Sequence, residues 1–550
     1  MTLSRARTSR RAALASLIGL ALAVSSAPLA SATGTPEQGG VVVRTDAGAV
    51  RGTAGKDYRL FQGVPFAAPP VGALRWADPA PVRPWHGTRD ATAPGNQCEQ
   101  APLRIGGADP TTNAEPKTSE DCLYLNVTVP ADARPDHPLP VMFWIHGGGF
   151  VNGSGSEYDA RALATTGHVI VVTANYRLGV FGFFGHAKLA GSGTFGLADQ
   201  QAALRWTRRN VAAFGGDAHN VTVFGESAGG MSVCAQLTSP AAASLIDKAI
   251  AESGSCATNY PIDTVRPGSD DGPTFQPVEQ AQQTGDELAA ALGCADQRTA
   301  VACLRKASVK ALLTAADSLS WLPTYGTTLL PEDPETALTE GHFRHVPTML
   351  GTNRDEGRLF VGASYILSGH PITPVQYGGL LRQMFGAAAE RVGAAYPLAD
   401  NGTPTLAWAA ISTDHSWSCP TLTGGDEVLA AQTPVYSYEF ADRRAPSLIP
   451  FPKDFPAGAT HASELPYLFG LGGQSRLDPS QRQLSTWMMR YWTRFAHTGD
   501  PNGPGAPSWP RFANPSHTLS LAPGKGGIHQ VNLATEHHCA LWTNTLHARR

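Results

Sequence analysis

Gly225-Glu226-Ser227-Ala228-Gly229 carries the residue types that nucleophilic chemistry needs. Four residues of strand-forming type, Val221-Thr222-Val223-Phe224, run into it, and the small and apolar residues from Gly230 to Leu237 read as a helix. A strand, a very tight turn and a helix would hold Ser227 at a strained backbone position with its hydroxyl exposed. Glycine is required at 225 and 229 because side chains there would collide with the opposing chain. A serine placed in this way still lacks a base, an acid to orient the base and donors for an oxyanion.

His146-Gly147-Gly148-Gly149 offers the donors. It follows an apolar run, where the backbone can turn sharply and present amides bare of side chains. Two of these N–H groups, with that of Ala228, would face the oxygen that becomes negative when serine attacks an ester carbonyl. A phosphate-binding loop is the rival reading of such a run, but it needs glycine where Asn152 stands, and no Gly-Lys-Ser/Thr follows. Among 17 histidines, His461 is the candidate base. It lies after the last expected sheet strand, in the loop Gly458-Ala459-Thr460-His461, and doubly wound sheets gather catalytic groups on loops at strand carboxyl ends. Two carboxylates at the end of an intervening strand qualify as the acid, Asp355 and Glu356 in Asn353-Arg354-Asp355-Glu356-Gly357.

These residues need a frame. Continuous apolar runs at residues 139–145 and 169–176 have the composition of strands covered on both faces. Further strands are expected at 123–129, 221–224, 248–254, 346–353 and 435–440, with helices at 198–206 and 484–496. Strands of this kind alternating with helices indicate an α/β protein with a mostly parallel central sheet and helices on both faces. The segments between 254 and 346 and from 361 to 434 are too long for simple crossovers and read as large helical or loop insertions. A hairpin at residues 41–52 opens the fold. The proline-rich stretch 61–85 reads as extended chain over the surface, and residues 99–121 as a polar loop without an aromatic residue.

Residues 1–32 read as a signal peptide: a basic opening with Arg5, Arg7, Arg10 and Arg11, an apolar stretch, and a small-x-small site at Ala30-Ser31-Ala32. The paired arginines fit the twin-arginine route or an ordinary secretory signal, and residues 33–550 would then be one exported domain without a stable membrane anchor. Without the four signal arginines, 38 basic residues face 45 acidic ones, which argues against nucleic acid as partner. The eight cysteines include no Cys-x-x-Cys pair, and no His-Glu-x-x-His occurs, so bridges rather than a metal are expected.

The chain resembles the type-B carboxylesterases, the group that includes the cholinesterases and the fungal true lipases. The resemblance rests on Phe61-Gln62-Gly63-Val64-Pro65-Phe66-Ala67, Ser119-Glu120-Asp121-Cys122-Leu123, His146-Gly147-Gly148-Gly149-Phe150, Asn175-Tyr176-Arg177-Leu178-Gly179, Phe214-Gly215-Gly216-Asp217, the Ser227 turn, Asn353-Arg354-Asp355-Glu356-Gly357 and His461-Ala462-Ser463-Glu464-Leu465, in this order. It implies an α/β-hydrolase fold, with Ser227 as nucleophile, His461 as base, Glu356 rather than Asp355 as acid, and the oxyanion hole at Gly148, Gly149 and Ala228. It also implies bridges from Cys98 to Cys122, Cys294 to Cys303 and Cys419 to Cys539, leaving Cys234 and Cys256 undecided. Ser253 and Glu464 match positions that support the histidine. The implied activity is hydrolysis of small-molecule carboxylic esters, with neither metal nor organic cofactor. A true lipase, or a non-catalytic binding module on the same fold, are the alternatives. The first cysteine loop lacks the aromatic residue with which cholinesterases hold a quaternary ammonium, so dedicated choline esters are not expected.

Overall fold

The computed structural model describes residues 40–101, 117–262, 264, 271–472 and 476–546. The expected signal peptide and most of the polar loop 99–121 lie outside them. The sheet is assembled from β1 (Val41–Arg44), β2 (Ala49–Ala54), β3 (Tyr58–Pro65), β4 (Tyr124–Pro130), β5 (Leu139–Ile145), β6 (Ile170–Ala174), β7 (Gly216–Glu226), β8 (Lys248–Glu252), β9 (Thr348–Asn353), β10 (Val435–Phe440), β11 (Thr518–Leu521) and β12 (Ile528–Val531). In space they lie in the order β1-β2-β3-β4-β6-β5-β7-β8-β9-β10-β11-β12, with the short strand Thr88–Asp90 paired to β2. From β6 to β11 every pairing is parallel, and antiparallel strands close both ends.

Why β5 reads as an unbroken apolar run is visible in its packing. All seven of its residues are buried. Val141, Phe143 and Ile145 enter a core on one face with Leu204 and Trp206 of helix α1 (Phe195–Asn210) and Met231 and Val233 of helix α2 (Ala228–Thr238). Met142 and Trp144 enter the core on the other face with Met488, Tyr491, Trp492 and Phe495. Successive side chains of a strand point to opposite faces, so two cores demand apolar residues at every position.

The insertions are helical, as expected, but they include turns of wider winding. After α3 (Pro404–Thr413) the chain continues through a π turn, Asp414–Ser418, a short α segment, Cys419–Thr421, and a second π turn, Leu422–Asp426. The expected helix at 484–496 is the centre of α4 (Pro479–Thr498). It begins earlier because Asp478 accepts the amide of Gln481 at 2.9 Å while the Gln481 side chain accepts the amide of Asp478 at 2.9 Å. Among the described residues no helix is long and apolar enough to cross a membrane.

Two expectations are corrected. The stretch 61–85 does not lie over the surface: Phe61, Val64, Phe66 and Trp76 are buried, β3 pairs with β4, and the Trp76 indole donates to the carbonyl of Val180 at 2.8 Å. Pro65 only ends the strand, and the aromatics around the later prolines supply the burial. Nor is β10 the last sheet strand, since β11 and β12 follow His461 in the chain. Disulfides join Cys98 to Cys122, Cys294 to Cys303 and Cys419 to Cys539, and also Cys234 to Cys256, the pair that sequence left open.

Candidate active site

The sheet reverses its winding at β5, which has β6 on one side and β7 on the other. A crevice opens at the carboxyl ends of such strands, and the glycine loop leaves β5 there while Ser227 leaves β7. Ser227 has φ 58° and ψ −124°, a backbone state that side-chain-bearing residues rarely adopt. Its amide donates to the carbonyl of Glu252 at the end of β8, at 2.9 Å. The glycines around it are sterically required: a Cβ on Gly225 would come within 2.6 Å of the Ile145 carbonyl oxygen, and one on Gly229 would collide with the same atom.

The glycine loop folds directly over the serine. A Cβ on Gly147 would lie 3.1 Å from the Ser227 Cβ. Gly148 and Gly149 have φ of 99° and 60°, and among the described residues their amides and that of Ala228 donate to no acceptor. The Ala228 amide is the first of the unpaired donors that every helix leaves at its N-terminus. His146 sets the start of the loop, stacked on Tyr176 at 4.4 Å and hydrogen-bonded through Nδ1 to the Gly147 carbonyl at 2.8 Å. Burial lowers its pKa to about 4.

The two carboxylates after β9 separate cleanly. Glu356, fully buried, accepts the amide of Asn353 at 2.7 Å on Oε1 and faces Nδ1 of His461 at 2.6 Å with Oε2. Asp355 turns away, accepting from Arg443 at 3.0 and 3.1 Å and from the amide of Ala459 at 3.0 Å, with an ion pair to Arg358 at 3.0 Å. It therefore pins the loop that bears His461. A carboxylate only accepts, so the imidazole proton belongs on Nδ1 and Nε2 is left as an acceptor. Nε2 is buried and without a hydrogen-bond partner, 3.2 Å from Oε1 of Glu226 but not aligned with it. Among the described residues no hydrogen bond joins the Ser227 hydroxyl to His461, so the histidine reaches the turn at the neighbouring Glu226. Such bonds commonly tighten only when substrate binds.

Further residues crowd the same place. Phe360 and Trp417 stack at 5.6 Å with planes 9° apart, and their rings lie 4.9 and 4.6 Å from that of His461. Glu226, Glu252 and Glu464 are buried beside Glu356. Burial pushes the first two carboxyls well above the usual range, and Glu464 raises each further. Glu464 is itself pushed up by burial and by the charge of Glu356. Burial thus favours the neutral form of all three. Of these, Glu464 was expected from the family resemblance to support the histidine and Glu226 is marked by its place within the serine turn, whereas Phe360, Trp417 and Glu252 carried no signal.

A sequence profile of the carboxylesterase family matches residues 40–542. The chain belongs to the carboxylesterase family. It is a carboxylic ester hydrolase with the α/β-hydrolase fold. It is 37% identical over 503 residues to para-nitrobenzyl esterase of Bacillus subtilis, covering 86% of this chain and 92% of that one. It is 34% identical over 544 residues to a medium-chain fatty acyl-CoA hydrolase precursor of Anas platyrhynchos, covering 90% and 91%. Among solved structures, a thermophilic PNB esterase superposes with a TM-score of 0.73 at 34% identity, covering 90% of this chain and 99% of that one. The unpartnered Nε2 of His461 lies beside the turn that carries Ser227.

Proposed function

We propose that this carboxylesterase cleaves its esters through an acyl-enzyme on Ser227, with His461 as general base and Glu356 as the orienting acid. The supporting observation is the state of His461: Nδ1 is engaged by Glu356 at 2.6 Å while the buried Nε2 has no partner. As the Ser227 oxygen attacks the ester carbonyl, its proton passes to Nε2, and Glu356 stabilises the imidazolium. The tetrahedral oxyanion is held by the amides of Gly148, Gly149 and Ala228. The same proton goes to the departing alcohol, and water, deprotonated in turn by His461, releases the acid and restores the serine.

Ser227→Ala tests this directly. The variant should keep the wild-type circular dichroism spectrum and lose p-nitrophenyl ester hydrolysis, and an organophosphonate should label the wild type at Ser227 and leave the variant unlabelled. A folded variant that still turns over removes Ser227 from the mechanism. We further propose that residues 1–32 direct export. The four disulfides fit an oxidising compartment, and N-terminal sequencing of the exported protein should begin at Thr33.

A further inference from the structure

Far along the chain from the serine turn, His537 is buried between two carboxylates. Its Nδ1 lies 2.5 Å from Oδ1 of Asp414 and its Nε2 2.6 Å from Oε1 of Glu439. Both ring nitrogens face acceptors, so both must carry protons, and the ring is an imidazolium. Burial works against that charge, but Asp414 and Glu439 outweigh it and raise the pKa to about 10.

The partners of this cation lead in two directions, and both reach His461. Asp414 opens the π turn Asp414–Ser418, which also carries Trp417, the ring packed 4.6 Å from that of His461. The other oxygen of Asp414 accepts the Tyr396 hydroxyl at 2.6 Å, and that hydroxyl in turn accepts the Trp542 indole N–H at 2.9 Å. Glu439 on β10 uses its second oxygen for Arg354, at 3.1 Å, and Arg354 also meets Glu536 at 2.5 Å. Arg354 stands two residues before Glu356, on the turn that presents Glu356 to Nδ1 of His461. The charged and titratable groups facing the cation or its partners include Asp414, Glu439, Arg354, Glu536 and Tyr396, with the ring of His538 5.2 Å from that of Tyr396 and the charge of Asp355 acting on Arg354.

We infer that His537 is a positioning residue for ester hydrolysis: clamped by Asp414 and Glu439, it fixes both the turn bearing Trp417 and the turn bearing Glu356, and so sets the His461 imidazole from two sides. This rests on the proposed role of His461. Replacing the cation by a neutral side chain leaves two buried carboxylates facing each other with too few donors. The π turn and the Arg354 turn then lose their common anchor. Small misplacement of a catalytic group costs up to about 100-fold in rate. A loosened Glu356 contact also leaves less negative charge to steady the imidazolium that forms on His461 during turnover.

The test is His537→Gln, compared with wild type by turnover per active site titrated with a p-nitrophenyl phosphonate, and by the pH profile of kcat/KM for p-nitrophenyl butyrate. The expected result is a fall in kcat per titrated site of about tenfold or more, with the acid limb of the profile moved to lower pH. The double variant Asp414→Asn with His537→Gln should recover much of the loss, since the two amides can pair without a cation while the second still donates to Glu439. A purely structural role would lower the melting temperature and leave turnover per titrated site and the acid limb as in wild type, and that outcome overturns the inference. If His537→Gln does not fold, Glu439→Gln carries the same two readouts, with both expected to move in the same direction and the inference lost if neither does. Failure of wild type to label at Ser227 would instead strike the proposed mechanism, a separate and separately visible result.

Discussion

Glu356→Gln is the sharpest probe of the site, because Glu356 answers two donors at once. Oε1 accepts the Asn353 amide at 2.7 Å and Oε2 faces His461 Nδ1 at 2.6 Å, both fully buried. The amide that replaces the carboxylate has one oxygen to offer. If its oxygen serves His461, its NH2 is pressed against the Asn353 N–H, and an unsatisfied buried donor pair costs about 1–3 kcal/mol. If its oxygen serves Asn353, the NH2 faces Nδ1, which must then become the acceptor. The imidazole proton moves to Nε2, and the ring can no longer take a proton from serine. The structure favours this second, inactive arrangement by that same margin. With loss of the negative charge that steadies the imidazolium, kcat should fall by about 10,000-fold, equivalent to roughly 5 kcal/mol of barrier. Initial rates on p-nitrophenyl acetate, with circular dichroism as the check on folding, measure it. Asp355→Asn is the control: it weakens contacts to Arg443 and Arg358 and should cost stability far more than turnover. A folded Glu356→Gln enzyme within tenfold of wild type would refute the reasoning.

Gly148→Ala should cost on the order of 100- to 1,000-fold in kcat, because its Cβ would collide with the Asn152 carbonyl and shift an oxyanion amide; steady-state kinetics on a soluble ester reads this. Replacing both Cys234 and Cys256 by alanine opens a bridge spanning 22 residues and should lower the unfolding free energy in urea by about 3 kcal/mol with kcat retained; an unchanged midpoint would count against it. For pH, His146 is neutral in the fold down to about 4 but charges near 6.5 once unfolded. The unfolded state therefore binds the extra proton between those values, and stability is lost as pH falls through the window, by about 3 kcal/mol from this group. Urea unfolding from pH 7 to 4 should show that slope, and His146→Gln should flatten it.

Much of this was readable because the physics is local. Residues 139–145 announce a strand buried on both faces through composition alone, and the glycines of the serine turn are dictated by contacts within a few residues. Glu356 and Asp355 were equal by position, since both end the same strand, and only the family resemblance preferred Glu356. What divides them is the direction of each side chain, and that depends on Arg443 and Ala459, far along the chain. Trp417 and His537 gave no signal because their meaning lies in tertiary partners. The strand β11 was missed because Thr518-Leu519-Ser520-Leu521 is four residues long, with serine and threonine buried by pairing on both sides. The pairing of Cys234 with Cys256 was open because spacing alone does not fix which cysteines meet.

The π turn Asp414–Ser418 has a consequence for how this region tolerates change of length. In an α-helix, residues five apart point about 140° away from each other. The wider π winding, whose hydrogen bonds span five residues, brings them much closer to one side. Asp414 and Cys419 are such a pair, and both reach the same tail, one through His537 and the other through the bridge to Cys539. Rewinding this segment as an ordinary α-helix with its length kept would swing one of the two tethers off the tail, whereas losing one residue would leave them four apart and on one face again. The π winding is thus what lets one extra residue sit in this turn while both tethers keep their grip on the tail.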